Sequence, residues 1–346
     1  MRALILTKAN NAESLELIEA PTPEPKKGEV RLKLTSIGLN RGDLLYTQSR
    51  YFIKPDSGSR IGFEGAGFID KIGPDTDTQF SIGDRVGITP MGFDVHAQGC
   101  LADYGNYPLD ALIQSPAGIH DSDTGAIWMA YFTAWGGLIN SGQLTKGEAV
   151  VITAASSSVG IAAIQIANMI GAIPIATTTS KDKANALLDC GAKHVITQKN
   201  ENSATMLSET MLNNKISHYV EKVRTFTSNQ GSDLVFDAVA GPMSHALIKG
   251  SKREGRIVIH GMLDRLPMDI HAGVIMKRLL TLKGYTVDQT LADKENKALA
   301  ISAIQKGFNT KRLKPVIAKH FSLDQFDHAF AYLRSNQHLG KIVITP

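Results

Sequence analysis

Apolar and polar positions change rhythm twice along this chain. Up to about residue 120 the pattern is that of short strands. In EVRLKLTSIGLN, Val30, Leu32 and Leu34 alternate with Arg31, Lys33 and Thr35, the period of a half-buried strand. GFEGAGFIDKIG and FSIGDRVGITPMG are apolar runs broken by closely spaced glycines, which suits a small, distorted, barrel-like fold. From about residue 124 the chain alternates apolar strands with helical periods. AVVITA, AIPIATT, HVIT, DLVFDAV and GRIVIHG read as buried strands. Between the second and third of these, Ala184, Leu187 and Leu188 recur at helical spacing before a stop at Gly191. Such alternation predicts βαβ units and a parallel sheet. From about residue 287 the texture is mixed again. A helix near Lys294–Lys306 precedes KPVIAKHFSL, a second helix covers DQFDHAFAYLRSN, and GKIVITP reads as an alternating last strand.

Composition narrows the classes of function. The 346 residues are 43% hydrophobic and 20% charged, with a formal charge of +4, an ordinary balance for a soluble protein. Lysines and arginines are scattered, so no nucleic-acid footprint is visible. No apolar run is long enough for a membrane span. The start, MRALILTKANN, turns polar after six residues and reads as a first strand rather than a leader. Two cysteines, Cys100 and Cys190, exclude a disulfide framework and any zinc site of three or four cysteines. A reducing, cytoplasmic setting is the expectation.

The candidate chemistry lies in VVITAASSSVGIAAIQIANMIG. A strand, a tight turn and a helix are arranged as in a dinucleotide site, where the helix N-terminus offers N–H groups to a pyrophosphate. Only one of the usual glycines, Gly160, is present. Ala154 fills the first position provided its φ stays negative. Ser157 and Ser158, with Val159, would meet the phosphates. The alternative is a plain strand–helix turn capped by serine. The next strand end, ATTTSKDK, lacks the acid that binds a ribose 2′-hydroxyl. Thr178, Ser180 and Lys183 there suit a 2′-phosphate, or else form a capped helix start with solvated charges.

GEVRLKLTSIGLNRGDLL, GFEGAGFIDKIG, GDRVG, YFTAWGGL, AASSSVGIAAIQIA, GAKHVI, LKGY and GKIVIT follow one another as in a known family. Over almost its whole length the chain resembles the medium-chain dehydrogenase/reductase superfamily, in the zinc-independent quinone oxidoreductase-like branch. The resemblance implies an α/β chain, a Rossmann doubly wound parallel sheet inserted into a GroES-like β-rich catalytic domain. The expected segments are 1–123 and 287–346 for the catalytic domain and 124–286 for the Rossmann domain. It also implies NADPH as hydride donor, a small quinone or enone as acceptor, and a homodimer.

Zinc-dependent relatives carry cysteine and histidine where this chain has Asn40 and Phe63, so a zinc-independent site is expected. Glu64 alone does not hold a metal, and a pairing of His96 with Cys100 lacks a third ligand. Asn40, whose amide can donate to a carbonyl or to the ribose, and Tyr46 or Tyr51, as proton donors, are the catalytic candidates. Either tyrosine also suits packing, and Asp43 suits a helix cap. By the same resemblance Thr133, Gly261 and Met262 face the nicotinamide. Lys341 either reaches the cofactor edge or lies at the surface. His260 reads as a packed histidine rather than a catalyst. The rivals to a reductase are a zinc-dependent alcohol dehydrogenase and a non-catalytic NADPH-binding sensor.

Overall fold

The computed structural model describes residues 1–9, 14–90, 92–198 and 209–346. By the resemblance, relatives carry a tyrosine near Gln198 to hold the adenosine phosphate; this chain lacks it, and the adjacent Lys199 lies outside the described residues. Two compact units emerge, Met1–Ala130 with Ile301–Pro346, and Tyr131–Ala300. Their limits fall inside the helices Trp128–Trp135 and Lys294–Asn309. The changes of texture near 124 and 287 come earlier, because a helix shared by two units carries no compositional seam. Among the described residues no helix is long and apolar enough to cross a membrane.

In the first unit the sheet runs Ile317–Ser322, Lys341–Thr345, Glu29–Leu39, Gly65–Ile72, Arg85–Ile88, Leu112–Gln114, and Tyr104–Pro108 also pairs with Glu29–Leu39. The alternation seen in the sequence holds from Glu29 to Thr35, and then Ser36 to Leu39 are all buried. The last strand departs from its expected alternation. It lies between Ile317–Ser322, parallel, and Glu29–Leu39, antiparallel, and Lys341 to Ile344 are all buried. A strand paired on both sides and covered on both faces has no solvent side to alternate with.

Register in this sheet assembles one cluster. Ile342 pairs with Leu39, so Lys341 and Asn40 are the next residues beyond that pair. Ile37 pairs with Gly65, which places Glu64 just beyond the start of its own strand. Gly38 lies between them. A Cβ there would strike Gly125 O, Glu64 Oε1 and the Lys341 side chain.

The second unit holds six parallel strands, in the spatial order His194–Thr197, Ile173–Thr178, Ala149–Ile152, Ser232–Asp237, Ser251–Ile259, Thr281–Gly284. By chain order this is third, second, first, fourth, fifth, sixth, the doubly wound arrangement of dinucleotide-binding folds. Val151, Ile175, Ile196, Val235 and Ile257 pack with Tyr219, Val223 and Leu247 to form its core. The sixth strand had no strand signal in the sequence. Four residues long and at the sheet edge, it is mostly exposed and therefore lacks an apolar run.

Candidate active site

The turn after Ile152 has the geometry of a phosphate cradle. Ser157 caps the helix Ser158–Ile170, and its Oγ accepts the Gly160 N–H at 3.1 Å. First-turn N–H groups of a helix have no intrahelical acceptor, which leaves those of Ser158 and Val159 for a ligand. A Cβ on Gly160 would lie 2.6–2.7 Å from the Ala155 backbone, so the close helix–turn contact requires glycine here. Ala162, Ala163 and Ala167 are fully buried, in keeping with a small packing face. The expectation for Ala154 fails: its φ is +46°, in the left-handed region. The turn reverses so tightly that Ala155 N–H reaches Thr177 O at 3.2 Å, and Ala154 takes the conformation a glycine usually supplies.

At the end of the second strand Thr178 is 8% exposed, and its Oγ1 accepts the Ser180 N–H at 3.2 Å. Lys183 follows in the helix Asp182–Asp189, half-buried, and burial lowers its pKa. An anion beside it would offset that cost. Thr133 is half-buried in the helix Trp128–Trp135. Gly261 lies against Ala238, where a Cβ would sit 2.7 Å from the Ala238 carbonyl oxygen, while Met262 is 62% exposed. His260 is stacked on Phe236 at 3.8 Å, and burial lowers it to about 3, a packed neutral ring as expected.

Asp237 belongs to the same switch point, without a motif in the sequence to mark it. It closes the fourth strand, adjacent to the first, where the strand order reverses and ligands bind in such sheets. Fully buried, it accepts Thr153 Oγ1–H at 2.7 Å, Val239 N–H at 2.9 Å and Ala240 N–H at 3.1 Å. Burial raises its pKa against these bonds. An acid directly after the apolar run Leu234–Phe236 was the signal that could have found it.

In the first unit, four polar side chains are gathered without solvent. Asn40, Asp43, Glu64 and Lys341 are 9%, 0%, 1% and 2% exposed. Lys341 Nζ donates to Glu64 Oε1 and, at 2.6 Å, to Asn40 Oδ1. That contact fixes which end of the amide is oxygen. Asn40 Nδ2 then donates to Gly38 O at 3.0 Å and to Glu64 Oε1 at 3.1 Å. Both amide protons are engaged within the chain. Lys341 is buried rather than at the surface, and its ammonium faces Glu64 and Asn40. Glu64 Oε2 accepts Met129 N–H at 2.8 Å. Asp43 takes the capping role, accepting Asn40 N–H at 2.7 Å and Phe63 N–H at 3.0 Å. Burial lifts its carboxyl to about 7, although those two donors oppose the shift.

The two tyrosines part company. Tyr46 is 0% exposed, with its hydroxyl 2.9 Å from His96 Nδ1, and burial pushes it up to about 12. Sealed in the core, it is a packing residue, and the expectation of a proton donor there is withdrawn. Tyr51 is half-buried, its ring 5.0 Å from that of Phe63. His96 also contacts Ser59, at 3.1 Å, and the Cys100 thiol is buried and pushed up to about 12. Among the described residues no three His, Cys, Asp or Glu side chains are grouped to hold a metal.

Residues 26–138 match the alcohol dehydrogenase GroES-like domain, and residues 158–305 match the zinc-binding dehydrogenase domain. The chain is 27% identical to an acryloyl-coenzyme A reductase of Sulfurisphaera tokodaii, over 100% of both chains. It is 26% identical to a quinone oxidoreductase of Sus scrofa, covering 99% of this chain and 97% of that one. A mycocerosic acid synthase-like polyketide synthase of Mycolicibacterium smegmatis is 28% identical, but the chain spans only 15% of its length. The solved Escherichia coli quinone oxidoreductase complexed with NADPH shares the fold, with a TM-score of 0.84 at 21% identity and 100% coverage of both chains. With both halves of the dehydrogenase architecture matched in order, the chain belongs to the medium-chain dehydrogenase/reductase superfamily of oxidoreductases, in its quinone oxidoreductase-like branch.

Proposed function

We propose that the chain is an NADPH-dependent reductase of quinones or α,β-unsaturated carbonyl compounds that works without zinc. The observation that carries this reading is the Gly160 turn beside an acid-free strand end bearing Thr178, Ser180 and half-buried Lys183. These residues suit a pyrophosphate at the helix N-terminus and a 2′-phosphate beyond the second strand. The relatives named as quinone oxidoreductase and acryloyl-coenzyme A reductase support the acceptor class. When bound, NADPH supplies a hydride; with one proton the acceptor becomes a hydroquinone or a saturated carbonyl, and NADP+ leaves.

The chain's own residues divide the remaining work. Ser157, Ser158, Val159, Thr178, Ser180 and Lys183 hold the phosphates, and Thr133, Gly261 and Met262 line the nicotinamide. Tyr51 donates toward the acceptor oxygen. Asn40 gives up that role and accepts through its carbonyl, with its orientation set by Lys341 and Glu64. The residues present do not fit a catalytic zinc: Phe63 is apolar and fully buried, and the Glu64 carboxylate already faces an ammonium. A homodimer fits the helix Ala272–Arg278, which buries none of its residues and exposes Met276, with the exposed Leu263, Leu266, Ile270 and Leu279 around it. Changing Met276 and Leu279 together to Asp should give a monomer in analytical ultracentrifugation; an unchanged sedimentation coefficient would remove this surface from the interface.

The test is a coupled panel. Protein dialysed against a chelator is given NADPH or NADH with benzoquinones, naphthoquinones and enones. NADPH oxidation well above NADH oxidation is expected. Tight NADPH binding with no acceptor turned over would replace the reductase by a nucleotide-binding sensor.

A further inference from the structure

Tyr285 follows the edge strand Thr281–Gly284 and ties together two segments of the second unit. Its N–H donates to Ile259 O at 2.8 Å, at the end of the strand that leads through His260 into Gly261. Gly284 and Ile259 pair as the last residues of their parallel strands, at the carboxyl edge where doubly wound sheets bind ligands. The Tyr285 hydroxyl reaches the other way, 3.3 Å from Phe132 O and 3.0 Å from Thr290 Oγ1. Phe132 directly precedes Thr133 in the helix Trp128–Trp135. Thr290 Oγ1 in turn lies 3.4 Å from Asn140 Oδ1, so two hydroxyl protons are shared among three contacts. Both side chains are buried, Tyr285 at 3% and Thr290 at 1% exposure. Burial pushes the Tyr285 phenol up to about 12, so it stays neutral and keeps its proton for this bond.

The helix is shaped to receive these hydroxyls. It runs into a π-helical turn, Gly136–Ser141, a departure from α-helical winding that is frequent at functional sites. A Cβ on Gly136 would strike both Tyr285 Oη and Thr290 Oγ1, and a Cβ on Gly137 would strike the Phe236 ring. His260 is stacked on that same ring at 3.8 Å. Helix and His260–Gly261 turn are therefore joined through Phe236 by packing and through Tyr285 by hydrogen bonds. Filling the space would need only a phenyl ring; the hydroxyl adds a directed bond to one backbone carbonyl.

We propose that Tyr285, with Thr290, is a positioning residue for the nicotinamide, fixing the spacing between Thr133 and Gly261. This rests on the NADPH reading, in which those two residues line the nicotinamide, and adds the device that holds them in register. Thr133 and Gly261 stand on separate elements. Apolar packing alone is non-directional, whereas a residue bonded at its N–H to one element and at its hydroxyl to the other sets their separation. Hydride transfer rewards such precision, because misplacement of about 1 Å costs on the order of 100-fold in rate.

Full-length Tyr285→Phe, Thr290→Val and Thr290→Ser are compared in binding to NADPH and to adenosine 2′,5′-bisphosphate, a fragment without the nicotinamide, by titration calorimetry. Tyr285→Phe and Thr290→Val should weaken NADPH on the order of fivefold and leave the fragment at its wild-type affinity. In reduction of 1,4-naphthoquinone, Tyr285→Phe should lower kcat on the order of tenfold with little change in the quinone KM. Thr290→Ser, which keeps the hydroxyl, should restore both. Melting temperatures check folding, and Thr290→Val carries the comparison if Tyr285→Phe does not fold. Equal weakening of NADPH and the fragment, or an NADPH affinity and kcat both at the wild-type level, overturns the positioning role while the reductase reading stands. The binding comparison needs no acceptor, so it decides on Tyr285 even where no acceptor is turned over. Wild-type protein that fails to bind NADPH overturns both.

Discussion

Gly160→Ala isolates the phosphate turn. The new Cβ would lie 2.6 Å from Ala155 Cα and O, and 2.7 Å from its carbonyl carbon, while ordinary contact begins at 3.4 Å. The helix start must therefore retreat by about 0.8 Å (3.4 − 2.6), because the atoms it meets are backbone and cannot rotate away. Ala155 is itself held by its N–H bond to Thr177 O. Overpacking of this kind costs about 1–3 kcal/mol. At about 2–4 °C per kcal/mol for a domain of this size, the melting temperature should fall by roughly 2–12 °C. The same retreat draws the N–H groups of Ser158 and Val159 from the pyrophosphate. Losing about half of one charge-assisted hydrogen bond, ~1.4 kcal/mol, weakens NADPH about tenfold. Titration calorimetry and differential scanning fluorimetry read the two effects separately. A variant that binds NADPH within twofold of wild type would refute the placement of the pyrophosphate at this turn, whatever its melting temperature.

Three further expectations follow from named contacts. Lys183→Ala should weaken NADPH about tenfold or more and leave NADH unchanged, measured as Kd for each nucleotide; equal losses would place the 2′-phosphate elsewhere. Lys341→Met leaves Glu64, 1% exposed, without its cation and should destabilise the chain by about 3–5 kcal/mol in urea unfolding. Adding Glu64→Gln should recover most of that loss, and no recovery would mean the two side chains are not coupled. The third concerns pH. Burial raises the Asp43 carboxyl from 3.8 to about 7, so the folded chain holds this proton more tightly than the unfolded chain. Its stabilising contribution is full below about pH 4 and is lost as pH rises through about 7. Asp43→Asn should flatten that part of the stability–pH curve, and a variant curve parallel to wild type would show that Asp43 stays ionised.

The parts legible in the sequence were those buried on both faces or constrained in backbone. AVVITA, AIPIATT and DLVFDAV read as strands because a parallel sheet covered by helices needs continuous apolar runs. Gly191, read as a helix stop, has φ +105° in the loop after Asp189. Thr281–Gly284 stayed hidden because an exposed edge strand carries no such run. The burial of Lys341 was hidden for a different reason. A lysine opening a final strand looks solvated, and the carboxylate that holds it lies 277 residues away in the chain. Only strand register, Ile342 on Leu39 and Ile37 on Gly65, brings the pair together. The two tyrosines, five residues apart, likewise could not be told apart from letters. One side of a short helix turns Tyr46 into the core, and the chain after it leaves Tyr51 half-buried. Ala154 departed from expectation because a turn's φ depends on where the following helix must sit, which residue type alone does not state.

An anaerobic single turnover tests metal-free hydride transfer from NADPH to a quinone most directly. Chelator-treated protein loaded with one equivalent of NADPH is mixed with excess 1,4-naphthoquinone, and the loss of NADPH absorbance is followed against the hydroquinone formed. One hydroquinone per NADPH, at a rate unchanged by added zinc, is the predicted result. NADPH that persists until zinc is restored, or is consumed without hydroquinone appearing, would contradict the account.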